Sequence, residues 1–184
     1  MVSHFCISDE MFEKGKIQLD KSREKRNNKA LKVLHAPNHK RIKGTRHVVE
    51  VVKSLQAEGY SVELTVLEGL SNSEIIDAIL ATDLVIDQLI IGWYAMFAIE
   101  AMSLGKPVIC YLRQDLLELY KAEGLIDEMP IINAKPENLK KVLMDCIEDK
   151  VDLKDVGKKS REYCQQKHSY TSVGEKLSMI CKSL

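Results

Sequence analysis

Residues 83–112 read DLVIDQLIIGWYAMFAIEAMSLGKPVICYL, and their pattern decides the fold. DLVIDQL is a short apolar run of strand length. Beyond the loop containing Gly92 the apolar residues continue for longer than a strand, which predicts a helix from about Tyr94 to Leu104. Gly105-Lys106-Pro107 stops that helix and PVICYL follows as the next strand. Strands apolar on both faces and joined through a helix belong to a parallel sheet covered on both sides.

The alternation extends in both directions. Upstream, LKVLHA from Leu31 is a strand ended by Pro37, and Thr45 to Glu58 sets Val48, Val51, Val52 and Leu55 on one helical face before Gly59. SVELTVL is a second strand, and the helix SEIIDAILA has Ser71 or Ser73 as its cap. Downstream, PIIN is a fifth short strand, followed by three helical segments: PENLKKVLMDCIED, VDLKDVGKKSREYCQQKH and TSVGEKLSMICKSL. The expectation is an open, doubly wound, Rossmann-like α/β domain over residues 31–184. Residues 1–30 end in KSREKRNNK, with little to bury, and read as a linker or lead-in.

Composition narrows the function classes. The chain has 184 residues, 45% hydrophobic and 5% aromatic, enough for one full core. Its 27 basic and 27 acidic residues cancel, so nothing supports a dedicated binder of nucleic acid or anionic membranes. An anion bound here has to be small and locally held. The longest uncharged apolar stretch, Leu89 to Ile99, has 11 residues, against the roughly 20 that span a bilayer. The start, MVSHFCISDEMFEKGK, carries acids where an export signal has an apolar core, so a cytoplasmic location is expected. Five cysteines without a C-x-x-C pair read as free thiols, Cys110 among them in a buried strand.

Sheets of this kind bind ligands beyond the carboxyl ends of their strands, so residues 37–44, 68–72, 87–94 and 111–115 are the places to look. The first loop, HAPNHKRIKGT, gathers His39, Lys40, Arg41 and Lys43 around Gly44 before a helix. It is either a solvated basic turn or a phosphate site, and its position favours the second. No G-x-G-x-x-G, P-loop, G-x-S-x-G or H-E-x-x-H pattern is present, which removes the main warrants for dinucleotide, P-loop, hydrolase and zinc-protease chemistry. Gly92 lets the backbone approach a ligand, and the helix start after it offers amides and a positive dipole end. Glu100 stands alone in an apolar helix and needs a partner. The candidates are a hydrogen bond from a loop, an ion pair with Lys43 or Arg41, and paired sugar hydroxyls. His35 is either a phosphate contact or a satisfied strand-end histidine, His168 a cap or hinge, and Trp93 a cover for a sugar ring or a wedge on the core.

Three segments, KVLHAPNHKRIKGT, DLVIDQLIIGWYAMFAIEAMSLGKPVI and YCQQKHSYTSVGEKLSMICKSL, together resemble the C-terminal, donor-binding half of family-4-like glycosyltransferases of the GT-B fold. The similarity runs from about Leu31 onward and is strongest in EAMSLGKPV, Glu100 to Val108. It implies a nucleotide-diphosphate sugar as donor, with Glu100 on the ribose and Lys43 on the diphosphate. Backbone amides at Tyr94, Ala95 and Met96 would take the distal phosphate. No metal is implied, because positive side chains and a helix end replace it in this fold. Two positions depart from the family pattern. Its first glutamate falls on Gly92, leaving Asp87 or Gln88 to reach the sugar unless Asp87 caps the loop. Its arginine before the lysine falls on Asn38 or Pro37, leaving Arg41 as the substitute.

The resemblance also implies an N-terminal acceptor-binding domain, which thirty residues cannot supply. That domain belongs either to an earlier part of a longer chain, the favoured alternative, or to a separate subunit. The last helix resembles the segment that crosses back onto that domain, so Leu177, Met179 and Ile180 are expected to be exposed. The function expected is glycosyl transfer in polysaccharide or glycoconjugate biosynthesis. A non-catalytic nucleotide-binding module and a nucleotide-sugar epimerase are the alternatives.

Overall fold

The computed structural model of the chain describes residues 5–21, 29–122 and 129–183. Its strands are β1 (Leu31–His35), β2 (Val62–Val66), β3 (Leu84–Ile86), β4 (Val108–Cys110) and β5 (Ile132–Asn133). They pair in parallel in the order β2-β1-β3-β4-β5. The helices are α1 (Asp9–Lys21), α2 (Lys40–Lys43), α3 (Thr45–Ala57), α4 (Asn72–Leu80) and α5 (Met96–Ser103), then α6 (Gln114–Ala122), α7 (Leu139–Ile147), α8 (Leu153–His168) and α9 (Tyr170–Ser183).

Strand residues alternate between two cores, as the pleat requires. Leu31, Val33, Leu84, Ile86 and Ile109 pack with α3 and α7 on one face. Leu34, Val85, Val108 and Cys110 pack with α4, α5 and α8 on the other. The fold is therefore α/β with a parallel sheet covered on both sides, as the sequence pattern predicts. β2 is an edge strand and keeps Glu63 and Thr65 exposed, which is why SVELTVL alternates while the central LVI and VIC do not.

Two expectations need correction. Part of the lead-in is integral to the domain: α1 packs on α5 and α8, with Ile7 and Phe12 buried. Gly15 lets α1 approach closely, since a Cβ there would strike the backbone of Ser103 and Leu104. The Ile7 amide donates to the His168 carbonyl (2.7 Å), and Arg161 Nη2 donates to the Phe12 carbonyl (3.0 Å). The start of this segment is amphipathic, but the glycine contact and the two backbone bonds that tie it to the domain carry no sequence signal, and the basic run after it reads as a linker. Residues 22–28 of the basic run lie outside the described residues. The helix expected from about Tyr94 begins two residues later, at Met96, because Tyr94 is still loop and Ala95 has extended backbone. In α9, Val173 is buried while Leu177, Met179 and Ile180 are exposed.

Candidate functional site

The strand order reverses between β1 and β3: the chain steps outward from β1 to β2, then returns to lay β3 on the other side of β1. Loops leaving β1 and β3 diverge there, and a crevice opens at the strand ends. A cleft of about 430 Å³ lies in that place, with a volume in the range of small-ligand sites. Its walls come from the loop after β1 and α2 (Pro37, Lys43), the loop after β2 (Glu68 to Leu70), and the starts of α4 and α5 (Asn72; Ala95 to Phe97, with Glu100).

The basic loop contains α2, a single turn that periodicity could not reveal in four residues. That turn divides the cluster. Arg41 points outward and is exposed, Lys40 pairs with Glu68 at the rim (2.9 Å), and Lys43 turns inward with its side chain 13% exposed. Lys43 Nζ donates to Asp87 Oδ1 at the end of β3. The Asp87 side chain is fully buried, and burial pushes its carboxyl up, while the Lys43 ammonium and the Ala95 backbone N–H pull it back down. An ion pair so placed links the loop after β1 to the loop after β3. It holds an ammonium against the cleft wall.

The two helix starts in the cleft differ. α4 has a complete capping box: Ser71 Oγ accepts from the Glu74 amide, and the Glu74 carboxylate accepts from the Ser71 amide (2.8 Å). α5 begins at Ala95, whose methyl cannot accept a hydrogen bond from the amides that follow. The Ala95 amide itself is held by the Asp87 carboxylate, so against expectation it is not free for a phosphate, and Asp87 caps the loop. Helix geometry leaves the next amides, from Met96 on, without partners inside the helix, and Met96 and Phe97 line the cleft. An ammonium and a positive helix end at one wall suit an anion.

Glu100 lies on the next turn of α5. Burial raises its carboxyl above the ordinary carboxylate range, and a hydrogen bond donated by Asn72 Nδ2 to Oε1 (2.9 Å) pulls the other way. The partner found is not one of the protein partners expected from the sequence: the donor is Asn72, the first residue of α4, rather than a loop or a cation. Lys43 is committed to Asp87 and Arg41 faces solvent.

Lys43, Ala95, Met96 and Glu100 thus come together on one cleft, whereas Arg41, Gln88, Gly92 and Tyr94 do not line it. Gln88 is 2% exposed and fastens its own loop, donating to the Trp93 carbonyl and accepting from the Ile91 amide (2.7 Å) and the Ile90 amide (3.2 Å). Gly92, at φ 90°, makes room for protein: a Cβ would strike the Arg113 side chain, and its carbonyl accepts from the Arg113 amide (2.9 Å). The Tyr94 hydroxyl turns away from the cleft to Tyr163 Oη (3.1 Å) and His168 Nε2 (3.2 Å), and burial pushes the phenol up. Trp93 packs between Tyr94 and Tyr120 as a wedge.

His35 is fully buried and satisfied, by the Ile86 carbonyl (2.8 Å) and Thr45 Oγ1 (2.9 Å). His168 sits at the α8 to α9 turn against the Phe5 carbonyl (3.1 Å). Asn72 was missed, because an asparagine at a helix start reads as a capping signal and its partner lies 28 residues away. Lys106 was also passed over: it is 7% exposed and donates to the carbonyls of Leu80 (3.0 Å) and Thr82 (2.6 Å), closing the far end of α4. Burial lowers its ammonium to about 8.

No family model matches the chain, and no curated protein matches it. Among the described residues no helix is long and apolar enough to cross a membrane.

Proposed function

We propose that the protein binds the nucleoside-diphosphate end of an activated sugar and is the donor-binding part of a glycosyltransferase whose acceptor is held by another domain or subunit. The observation that carries this reading is one cleft with a cation and an uncapped helix start on one wall and a carboxylate one helical turn further along. A diphosphate needs the first pair and a ribose diol suits the second, since a carboxylate accepts from two hydroxyls at once. In transfer, the charge that develops on the departing diphosphate would meet the Lys43 ammonium and the α5 amides. These are fixed before the reaction and need no reorganisation. The resemblance in EAMSLGKPV and in the loop holding Lys43 supports the same assignment.

A second reading, a nucleotide-binding module without catalysis, draws on the sugar end. The two side chains expected to replace the missing glutamate are spent elsewhere, Asp87 on Lys43 and Gln88 on its own loop. The test is a calorimetric titration with UDP, GDP, ADP and their sugar conjugates, followed in parallel by Trp93 fluorescence. One series is expected to bind saturably, and Glu100→Ala to weaken it about tenfold to a hundredfold, the range for a hydrogen bond to a charged group. Failure of all three series with folded protein, or an unaltered Glu100→Ala, overturns the assignment. Turnover supplied by an acceptor domain separates transferase from binding module.

A further inference from the structure

We infer that Asn72 is a positioning residue that aims Glu100 at the ligand's ribose and so sets preference for ribonucleotides over 2′-deoxyribonucleotides. The inference rests on the nucleoside-diphosphate reading of the cleft and goes beyond it. Both residues line the cleft, and the Asn72 amide donates to one carboxylate oxygen of Glu100. That bond is the side-chain hydrogen bond that holds the Glu100 carboxylate among the described residues, and burial disfavours its charge there. With it, one lone pair of Oε1 is engaged and both oxygens still accept, so the bond fixes the plane in which the carboxylate meets a diol.

The donor is itself held. Asn72 is the first residue of α4, directly after Ser71, and the Ser71–Glu74 box fixes that turn. Lys106 closes the opposite end of the same helix on the Leu80 carbonyl. A helix fastened at both ends carries an amide that presets a carboxylate on its neighbour. The carboxylate then meets a vicinal diol in one orientation. A 2′-deoxyribose offers one of the two hydroxyls, and a correctly aimed carboxylate loses a bond with it, whereas a mobile carboxylate loses less.

The experiment is a titration of the full chain with UDP, GDP and ADP and with dUDP, dGDP and dADP, for the parent, Asn72→Ala and Asn72→Asp. Asn72 is exposed, and an aspartate in the first turn of a helix is favourable, so neither variant is expected to lose the fold. The parent is expected to prefer the ribonucleotide, and both variants to shrink that preference by roughly fivefold, about the share of a positioned charge-assisted bond. Binding of the deoxy series should hardly change, which a general disturbance of the cleft would not allow. If the parent binds and discriminates while both variants discriminate as well as it does, the inference is overturned and the cleft assignment stands. If the parent binds both series equally, the ribose role of Glu100 fails and the inference fails with it. No saturable binding by the parent overturns the nucleotide reading and both roles together.

Discussion

Two helices begin in the same cleft, and they are built in opposite ways. α4 satisfies itself, with a capping box at one end and the Lys106 ammonium on its last carbonyl at the other. α5 starts on an alanine whose own amide is held by Asp87, leaves the amides after it without an N-cap acceptor, and has the Lys43–Asp87 pair beside it. A side-chain cap contributes about 1 kcal/mol and requires one residue, and α3 and α7 also do without one, so what sets α5 apart is its place on the cleft beside Lys43. On the proposed reading, the difference makes α4 the frame and α5 the receptor, because unspent donors are what a helix start has to offer an anion.

The largest break in this contrast is Lys43→Ala. It removes the cation at the open helix and leaves a buried carboxylate without its charge partner, which typically costs about 3–5 kcal/mol. A lower urea midpoint with an unchanged m-value is expected, together with loss of diphosphate binding. Lys43→Ala combined with Asp87→Asn should recover much of the stability but not the binding. If binding also returned, Lys43 would serve the fold alone.

Acid tests the two sides next. His35 ties the ends of β1 and β3 to the start of α3, and His168 ties Tyr94, just before α5, to the N-terminal segment. α4 contains no histidine. Burial holds both imidazoles below their ordinary value, so as the pH falls the unfolded chain takes up protons first. Their contribution is complete above about pH 6.5 and is lost below it, with a slope of at most about 1.4 kcal/mol per pH unit for each group. Urea midpoints measured from pH 7.5 to 5 should fall below 6.5, and His168→Gln should flatten that fall. A midpoint indifferent to pH over this range would mean that the two rings are protonated as readily in the fold as outside it.

A smaller effect is expected on the closed side. Ser71→Ala opens the capping box and should cost about 1 kcal/mol. It should leave inorganic pyrophosphate binding unchanged, because on the proposed reading α5 supplies those donors. Pyrophosphate affinity that fell with the cap would show that the two helix starts act as one site, which would dissolve the contrast.

The division between frame and receptor was partly legible in the sequence. The strands, the helices of the sheet and the cap at Ser71 follow from local periodicity and turn chemistry, which act over a few residues. Glu100 and Lys43 were visible because a charge in an apolar helix, and a cation before a helix, are locally anomalous. Gln88 and Gly92 were misread because their roles are set by partners in space: a loop folded back on itself, and the Arg113 side chain laid over a glycine. Arg41 and Lys43 stand two residues apart, and only the single turn of α2, too short to show a period, decides which one faces inward. Asn72 was hidden for the same reason as its bond is informative, since its partner comes from another helix.

Ala95→Ser gives the smallest change and the sharpest reading of the contrast. Ala95 already has the extended backbone of an N-cap, φ −138° and ψ −165°, so a serine there needs no rearrangement to accept from the second or third amide of α5. Capping should raise stability by about 0.5–1 kcal/mol and weaken diphosphate binding, because the hydroxyl then holds a donor that the ligand would use. Stability by urea and affinity for UDP or pyrophosphate by calorimetry would be measured on the same preparation. Opposite signs are the signature of a helix start kept open for a ligand. A gain in stability with no loss of affinity would leave Lys43 as the anion's holder and make the open end of α5 an accident of its alanine. No gain in stability would mean that the first turn is already satisfied from elsewhere in the loop.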